Sequence, residues 1–149
     1  MENKDLYFVA LKVFLRDAKG NVLLTKDRFG DWDIPGGRLR EGDFEVPLDQ
    51  VIARKMKEEL GVECAFKLGA PAVYMRHERN EILADGTREK RRIFAIGYDA
   101  EYQGGPIALG ENHEKYEWIS ATDPKPENYL TGGWLKGMQE YIQLFSKEK

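Results

Sequence analysis

The sequence predicts an α/β fold in which a mixed β-sheet lies between helices. Strand-like and helix-like segments follow one another in the order strands, helix, strands, helix. Two of these segments, residues 47–60 and 135–145, carry apolar residues at the spacing of an amphipathic helix. A sheet with one helix on each face would bury both apolar stripes, which favours the layered arrangement.

The composition is that of one globular domain over residues 1–149. A chain of 149 residues can bury a sizeable core without disulfides, and its one cysteine, Cys64, excludes an internal bridge. We expect Cys64 to be a small apolar strand residue. The net charge of −3 argues against a broad nucleic-acid surface. A polar start and the lack of an apolar run of about 18 residues predict a cytoplasmic protein.

The first strands are predicted from the opening of the chain. Residues 6–15 are rich in Leu, Phe and Val. Residues 17–21 are typical of a turn, and a second strand begins at residue 22, so the pair predicts a hairpin. Residues 32–34 are a short extended segment, which Pro-Gly-Gly stops at 35–37.

The first helix is predicted from Pro47 to residue 60. Pro47 suits the first helical position, and Gly61 suits the position just past the end. Successive helical residues turn by about 100°, which places one apolar stripe toward the sheet. This stripe consists of Leu48, Val51, Ile52, Met56 and Leu60.

Charged residues interrupt the stripe. Glu59 lies in its middle, Lys55 lies one turn earlier, and Glu58 lies at its edge with Arg54 just beyond. Charges on a core-facing stripe are costly unless they are paired or bind a metal. One explanation is a Lys55–Glu59 ion pair, worth only about 0.2–0.5 kcal/mol. The other is a carboxylate pair in a polar cleft, which suits Mg²⁺. Helix geometry alone does not decide between them.

The residues before the helix favour the cation site. Pro35-Gly36-Gly37 permits a tight turn beside the sheet. An acidic loop then leads into the helix and contains Glu41, Asp43 and Glu45.

The remaining elements follow the helix. Strand character returns from residue 62, and Asp85-Gly86 predicts a hairpin turn between strands at 73–75 and 93–96. Residues 117–119 predict a short last strand. Apolar residues at helical spacing mark the final helix, namely Leu135, Met138, Tyr141, Ile142 and Phe145.

Residues 37–43 and 54–62 together resemble the Nudix box, placed here at about 36–62. The family pattern is a Gly, five residues, a Glu, seven residues, and then Arg-Glu-aliphatic-x-Glu-Glu-x-Gly-aliphatic. Trp32 and residues 111–118 resemble the strand before the box and the acidic loop that leads to a late Trp strand. The likeness spans residues 6–145.

The resemblance implies an α/β/α sandwich and a metal-dependent pyrophosphohydrolase that uses Mg²⁺ or Mn²⁺. Its substrate would be a nucleoside diphosphate linked to another group. Glu58 and Glu59 would be catalytic metal ligands, and Glu111 or Glu114 would be a further ligand or the base that activates water, with Glu114 counted as catalytic. Arg54 would hold the acidic loop by an ion pair. The structural residues of the box would be Gly36, Gly37, Asp43, Arg54 and Gly61.

Two departures from the pattern matter. Lys55 stands where the family has its first helix Glu, which removes a ligand and adds a positive charge. Ten residues, rather than seven, separate Asp43 from Arg54, so the family's loop Glu maps to either Asp43 or Glu45.

Three residues are candidates for substrate binding. Lys55 offers a fixed cation to a phosphate oxygen. Trp32 could stack on a base, although core packing is the favoured interpretation. Arg28 could contact phosphate, although a solvated surface position is favoured. His113 could act as a general base, although a hydrogen-bonded loop histidine is favoured.

Two other features of the sequence are weaker candidates for a functional site. The charge run Lys90-Arg91-Arg92 is typical of a solvated strand edge. His77 and His113 lack the spacing of a zinc site.

The main alternative to the hydrolase is a non-hydrolytic nucleotide-binding or regulatory module, in which Lys55 neutralises Glu59. A purely structural interaction domain would leave the glycine turn and the acidic loop without a purpose. The expected partner is a small nucleotide or diphosphate compound, with no extended nucleic acid and no membrane. A homodimer is a possible assembly.

Overall fold

The computed structural model describes residues 2–146, and seven strands and two α-helices form within them. The elements of the first half are β1 (Phe8–Arg16), β2 (Val22–Asp27), β3 (Trp32–Asp33), β4 (Gly36–Arg38) and α1 (Leu48–Leu60). Those of the second half are β5 (Ala65–Ile82), β6 (Arg88–Gly104), β7 (His113–Ile119) and α2 (Gly132–Ser146). Short 3-10 turns lie at Glu41–Asp43 and Pro126–Asn128.

The strands form one mixed sheet with the order β3-β2-β1-β6-β5, in which β4 pairs with β1 and β7 pairs with β2. Strand β1 runs parallel to β6 over its whole length, and the other pairings are antiparallel. The mixed sheet and the two helices confirm the predicted fold class.

The two faces of the sheet carry two separate cores because side chains alternate along each strand. In β1, Phe14 lies on one face and stacks on Tyr141 of α2, with ring centroids 4.3 Å apart. Leu11 and Val13 lie on the other face, in the core that includes Met56 of α1. Each helix therefore packs apolar residues against the sheet as the sequence predicts, except that Leu48, at the start of the predicted α1 stripe, is exposed.

The β5–β6 hairpin is the longest feature of the sheet, with strands of 18 and 17 residues. Its turn is at Asp85-Gly86, as predicted, and Gly86 has a φ of +86°. The Leu83 N–H donates to the Thr87 carbonyl at 2.8 Å and closes the turn. Both strands extend well beyond the predicted segments.

Some boundaries differ from the sequence-based expectation. Pro47 precedes α1 rather than starting it, because its ψ of 141° is extended. Gly61 follows the helix as predicted, and its N–H donates to the Lys57 carbonyl at 3.1 Å. The β1–β2 pairing is confined to Arg16 and Val22, and β2 runs mainly beside β7.

Cys64 lies just before β5 and is buried. No helix among residues 2–146 is long and apolar enough to cross a membrane.

Candidate active site

A polar cavity of about 260 Å³ lies where β4, the last turn of α1 and the start of β7 meet. Each of these elements contributes charged or polar side chains, and further charged side chains come from β1, β3 and β5. The polar lining residues are Lys12, Asp33, Arg38, Lys55, Glu58, Glu59, Arg79, Asn112 and His113.

The glycine turn forms one wall of this cavity. Gly36 has a φ of +127°, and a Cβ there would overlap the Leu11 carbonyl oxygen, so only glycine fits this position. The Gly36 N–H donates to Glu59 Oε2 at 2.7 Å. The turn that the sequence predicts therefore binds directly to one of the two predicted glutamates.

Glu59 lies between the glycine turn and His113. Its Oε1 is 3.2 Å from His113 Nε2, and both side chains are 14% exposed. Burial raises the pKa of Glu59 to about 7, against the opposing effects of the Lys12 ammonium and the Gly36 N–H. Burial also lowers the pKa of His113. A carboxylate with a pKa near neutrality can accept a proton from water.

Glu58 faces the same cavity but has different partners. Arg40 Nη2 lies 2.9 Å from Glu58 Oε2, and Arg54 Nε lies 3.7 Å from Glu58 Oε1. Its side chain is about half exposed. The two neighbouring glutamates therefore line one cavity while each already interacts with other protein groups.

Lys55 is buried beside Gly37, with 6% of the residue exposed. A Cβ placed on Gly37 would lie 3.2 Å from Lys55 Nζ, which shows how closely the ammonium passes the glycine turn. Burial lowers the pKa of Lys55, and the Arg40 and Arg54 charges act in the same direction. Within residues 2–146 the ammonium has no ion pair or hydrogen bond, so the alternative Lys55–Glu59 bridge is not formed.

Arg54 lies one residue before Lys55 in α1 and is paired through both of its terminal nitrogens. Its Nη1 and Nη2 bind the two carboxylate oxygens of Asp43 at 2.7 and 3.0 Å. Asp43 is 4% exposed and also accepts the Arg40 N–H at 2.8 Å. The Arg54 guanidinium holds the pKa of the Asp43 carboxyl well below its usual range. Glu45 is exposed, so Asp43 is the loop carboxylate that Arg54 binds.

Sequence reasoning missed Lys12 and Asp33. Lys12 is 4% exposed, and its Nζ donates to Asp33 Oδ1 at 3.0 Å and to the Ile34 carbonyl at 3.1 Å. It also lies 4.9 Å from the ring centroid of Trp134 in α2. A single lysine inside the apolar strand β1 was the available signal.

The predicted acidic loop contributes other residues than expected. Asn112 and His113 line the cavity, whereas Glu111 and Glu114 are exposed. His113 begins β7 opposite Asp27, and the register shifts between Lys26 and Asp27, so Glu114 lies in an irregular part of the pairing.

A second groove, of about 390 Å³, adjoins the cavity and shares Asp33, Arg79 and Trp134 with it. Trp32 lines this groove, packs edge-on against Tyr129 at 5.1 Å, and also packs against the α2-side core. Trp32 therefore packs against the core, as the favoured interpretation describes, and also lines a groove, as stacking on a base would require.

Two further candidates lie outside the cavity. His77 stacks on Trp134 at 4.4 Å, and its Nδ1 accepts the Gly133 N–H at 3.0 Å, so it fixes the start of α2. Arg28 is exposed beside the Phe29 ring.

The cavity does not present a ready metal site. Among residues 2–146 no group of three or more His, Cys, Asp or Glu side chains could hold a metal ion. Glu58 interacts with two arginines, Glu59 with Gly36 and His113, and the Lys55 ammonium lies on the same wall. In this arrangement the residues present do not fit a divalent cation.

The fold and the contact between Gly36 and Glu59 are consistent with a known protein family. The family model for the NUDIX domain matches residues 6–136, so the chain belongs to the Nudix hydrolase family. Nucleoside triphosphatase NudI of Escherichia coli K12 is 23% identical over 94 residues, which are 63% of this chain and 64% of that relative. The match thus leaves over a third of the relative's length uncovered.

Solved structures share the fold. The MutT protein from Methanosarcina mazei Go1 has a TM-score of 0.68 at 22% identity, covering 99% of this chain and 98% of the other. An ADP-ribose pyrophosphatase from Streptococcus suis 89-1591 has a TM-score of 0.65 at 12% identity, covering 93% and 92%. At these identities the likeness establishes the architecture alone.

Proposed function

We propose that this chain binds a nucleoside diphosphate linked to another group and hydrolyses its phosphoric anhydride bond. Family membership supports the reaction class, and the names of the relatives, a nucleoside triphosphatase and an ADP-ribose pyrophosphatase, suggest the substrate class. The observation that carries the proposal is that Glu59, with a pKa near 7, lines the same cavity as four cationic side chains. These are Lys12, Arg38, Lys55 and Arg79.

The cationic side chains would receive the diphosphate. A diphosphate is a concentrated anion, and lysine and arginine side chains are the groups that bind phosphate oxygens in proteins. Fixed cations also stabilise the negative charge that develops on a leaving phosphate. The chain thus offers charge stabilisation from its own side chains.

Glu59 would act as the base in place of the predicted Glu114, which is exposed. A general base works best when its pKa lies near the operating pH, and the pKa of Glu59 is about 7. The Gly36 N–H and His113 hold its carboxylate in one orientation. Glu59 would accept the proton of the attacking water, and the water oxygen would form the new bond to phosphorus as the anhydride bond breaks.

The adjoining groove would hold the rest of the substrate. It is lined by the aromatic side chains of Trp32, Tyr129 and Trp134, and it shares Asp33 with the cavity. Aromatic faces stack on nucleobases with little sequence preference. A nucleoside in this groove would place its diphosphate beside Lys12, whose Nζ contacts Asp33 at the boundary.

The predicted Mg²⁺ or Mn²⁺ stays a prediction. Glu58 and Glu59 would have to leave their present partners to bind it, and the steps given above do not pass through a cation. The predicted cytoplasmic location and homodimer likewise stay predictions.

A non-hydrolytic nucleotide-binding module is the second candidate. The observation that favours it is the same pair of glutamates, because both carboxylates already interact with protein groups. In this case the cavity would bind the diphosphate but would not activate water.

The test is an assay of phosphate and nucleotide release over a panel of nucleoside diphosphate derivatives. Each compound is tested with Mg²⁺, with Mn²⁺ and with EDTA, and binding is measured in parallel by calorimetry. Release of products from at least one compound supports the hydrolase. Binding without release in all three conditions supports the binding module, and the absence of both overturns the proposal.

A further inference from the structure

Lys55 is a buried cation without a partner among the residues that the structure describes. It is 6% exposed, lines the 260 Å³ cavity, and among residues 2–146 forms no hydrogen bond or ion pair. Lysine is almost never this buried unless something pairs with it, because the ammonium loses its hydration. The position therefore calls for an anion that the described part of the chain does not supply.

The nearby carboxylates are bound elsewhere. Asp43 accepts both terminal nitrogens of Arg54, and Glu59 Oε2 accepts the Gly36 N–H. Glu58 interacts with the arginines at positions 40 and 54 rather than with Lys55. None of these three carboxylates therefore neutralises the Lys55 ammonium through a hydrogen bond or an ion pair.

The glycine turn leaves space for the Lys55 side chain at the wall of the cavity. A Cβ on Gly37 would lie 3.2 to 3.7 Å from three atoms at the end of the lysine side chain, so a larger residue would crowd it. The turn and the lysine thus fit together at the wall where the two glutamates lie.

The other cations of the cavity already have partners. Lys12 pairs with Asp33 at 3.0 Å, Arg38 pairs with Glu81, and Arg79 lies 3.6 Å from the same Glu81. Lys55 is therefore the cationic group of the cavity with a free charge, among the residues that the structure describes.

We propose that the Lys55 ammonium binds a phosphate group of the substrate directly, as a fixed cation, so that the chain binds a diphosphate without a divalent ion. The inference rests on the diphosphate-binding part of the proposed function and not on hydrolysis. Its chemical basis is that a buried ammonium provides one positive charge and three donors on the wall where a cation would otherwise lie.

The test measures the affinity for inorganic pyrophosphate and for ADP by calorimetry, in EDTA and in Mg²⁺. For the natural chain we expect binding in EDTA to be at least as tight as in Mg²⁺. For Lys55→Met we expect about 10-fold weaker binding, the effect of losing one charged contact. Lys57→Met is the matched control, because Lys57 is on the same helix but exposed. It should retain the natural affinity.

Two outcomes would overturn the inference. One is binding that requires Mg²⁺, and the other is an unchanged affinity in Lys55→Met. If Lys55→Met does not fold, as judged by circular dichroism, Lys55→Arg provides the test, because it should retain binding in EDTA.

A second variant separates this inference from the proposed hydrolysis. Lys55→Glu should lose pyrophosphate binding in EDTA and gain Mn²⁺ binding, measured as loss of the free Mn²⁺ signal in electron paramagnetic resonance. Turnover with no binding in EDTA would leave the hydrolase standing and refute the role of Lys55. Binding in EDTA with no turnover would support the role of Lys55 and refute the proposed hydrolysis.

Discussion

Two buried charge clusters meet at α1, and they differ in how completely they are neutralised. In the closed pair, Asp43 binds Arg54 through two hydrogen bonds and its pKa is lowered. In the open cluster, Glu59 has no arginine partner and a raised pKa, and Lys55 has no partner among the described residues. Complete pairing indicates a structural role, whereas incomplete pairing leaves groups available for a ligand.

The largest effect is expected from Glu59→Gln. The amide keeps an oxygen for the Gly36 N–H but cannot accept a proton, so turnover should fall about 100-fold or more. The affinity for pyrophosphate should stay nearly unchanged. Product release is the measurement, and Glu45→Gln, in the exposed part of the acidic loop, is the control. Equal turnover in both variants would remove Glu59 from the mechanism.

Asp43→Ala should cause the largest loss of stability. It leaves Arg54 without its buried partner and the Arg40 N–H without its acceptor, so the melting temperature should fall by about 8 °C. Thermal unfolding followed by circular dichroism is the measurement. If Asp43→Ala and the control Glu45→Ala melt at the same temperature, the pair is not structural.

The two carboxylates should affect stability in opposite pH ranges. The folded pKa of Asp43 lies below 3.8, so its contribution is present above that pH and is lost as the pH falls further. The folded pKa of Glu59 is raised from 4.5 to about 7, so its contribution is present below pH 4.5 and is lost as the pH rises through 7.

Urea unfolding from about pH 2 to about pH 8 measures both effects. Asp43→Asn should remove the acid-side change and Glu59→Gln the neutral-side change. If either variant keeps the pH dependence of the natural chain, the corresponding pKa shift is not supported.

Lys55→Met should have the smallest effect on stability, and in the opposite direction from Asp43→Ala. Removing a buried ammonium that has no partner within residues 2–146 avoids the cost of its dehydration, so the melting temperature should rise by about 2 °C. Lys57→Met should leave it unchanged. A clear decrease for Lys55→Met would show that Lys55 has a stabilising partner in the folded chain.

Much of the fold follows from local sequence patterns. The apolar stripe predicts α1, and Asp85-Gly86 predicts the turn of the β5–β6 hairpin. The glycine turn at residues 36–37 and the neighbouring glutamates of α1 are also local features. Patterns of this kind depend on a few consecutive residues, so the sequence contains them directly.

The completed site was less predictable because its residues come from distant segments. Lys12, Asp33, Arg79 and Trp134 meet only through the sheet order and the position of α2. Whether His113 or Glu114 faces the cavity depends on the register of β7 against β2, which contains a bulge. A one-residue change of register reverses the side chains that face each side, and the sequence does not specify it here.

The partners of the glutamates were also beyond local reasoning. Helix geometry offered a bridge between Lys55 and Glu59, but the Gly36 N–H and His113 lie closer to that carboxylate. Both come from other elements, so their competition with Lys55 becomes visible only in the folded chain.

The role of the open cluster is tested most directly by a crystal structure of the chain with pyrophosphate, grown in EDTA. We expect a phosphate oxygen within hydrogen-bonding distance of Lys55 Nζ, with Glu59 still bound to the Gly36 N–H. A cavity that takes up pyrophosphate only when a divalent cation binds Glu58 and Glu59, with the lysine displaced from the wall, would contradict this account.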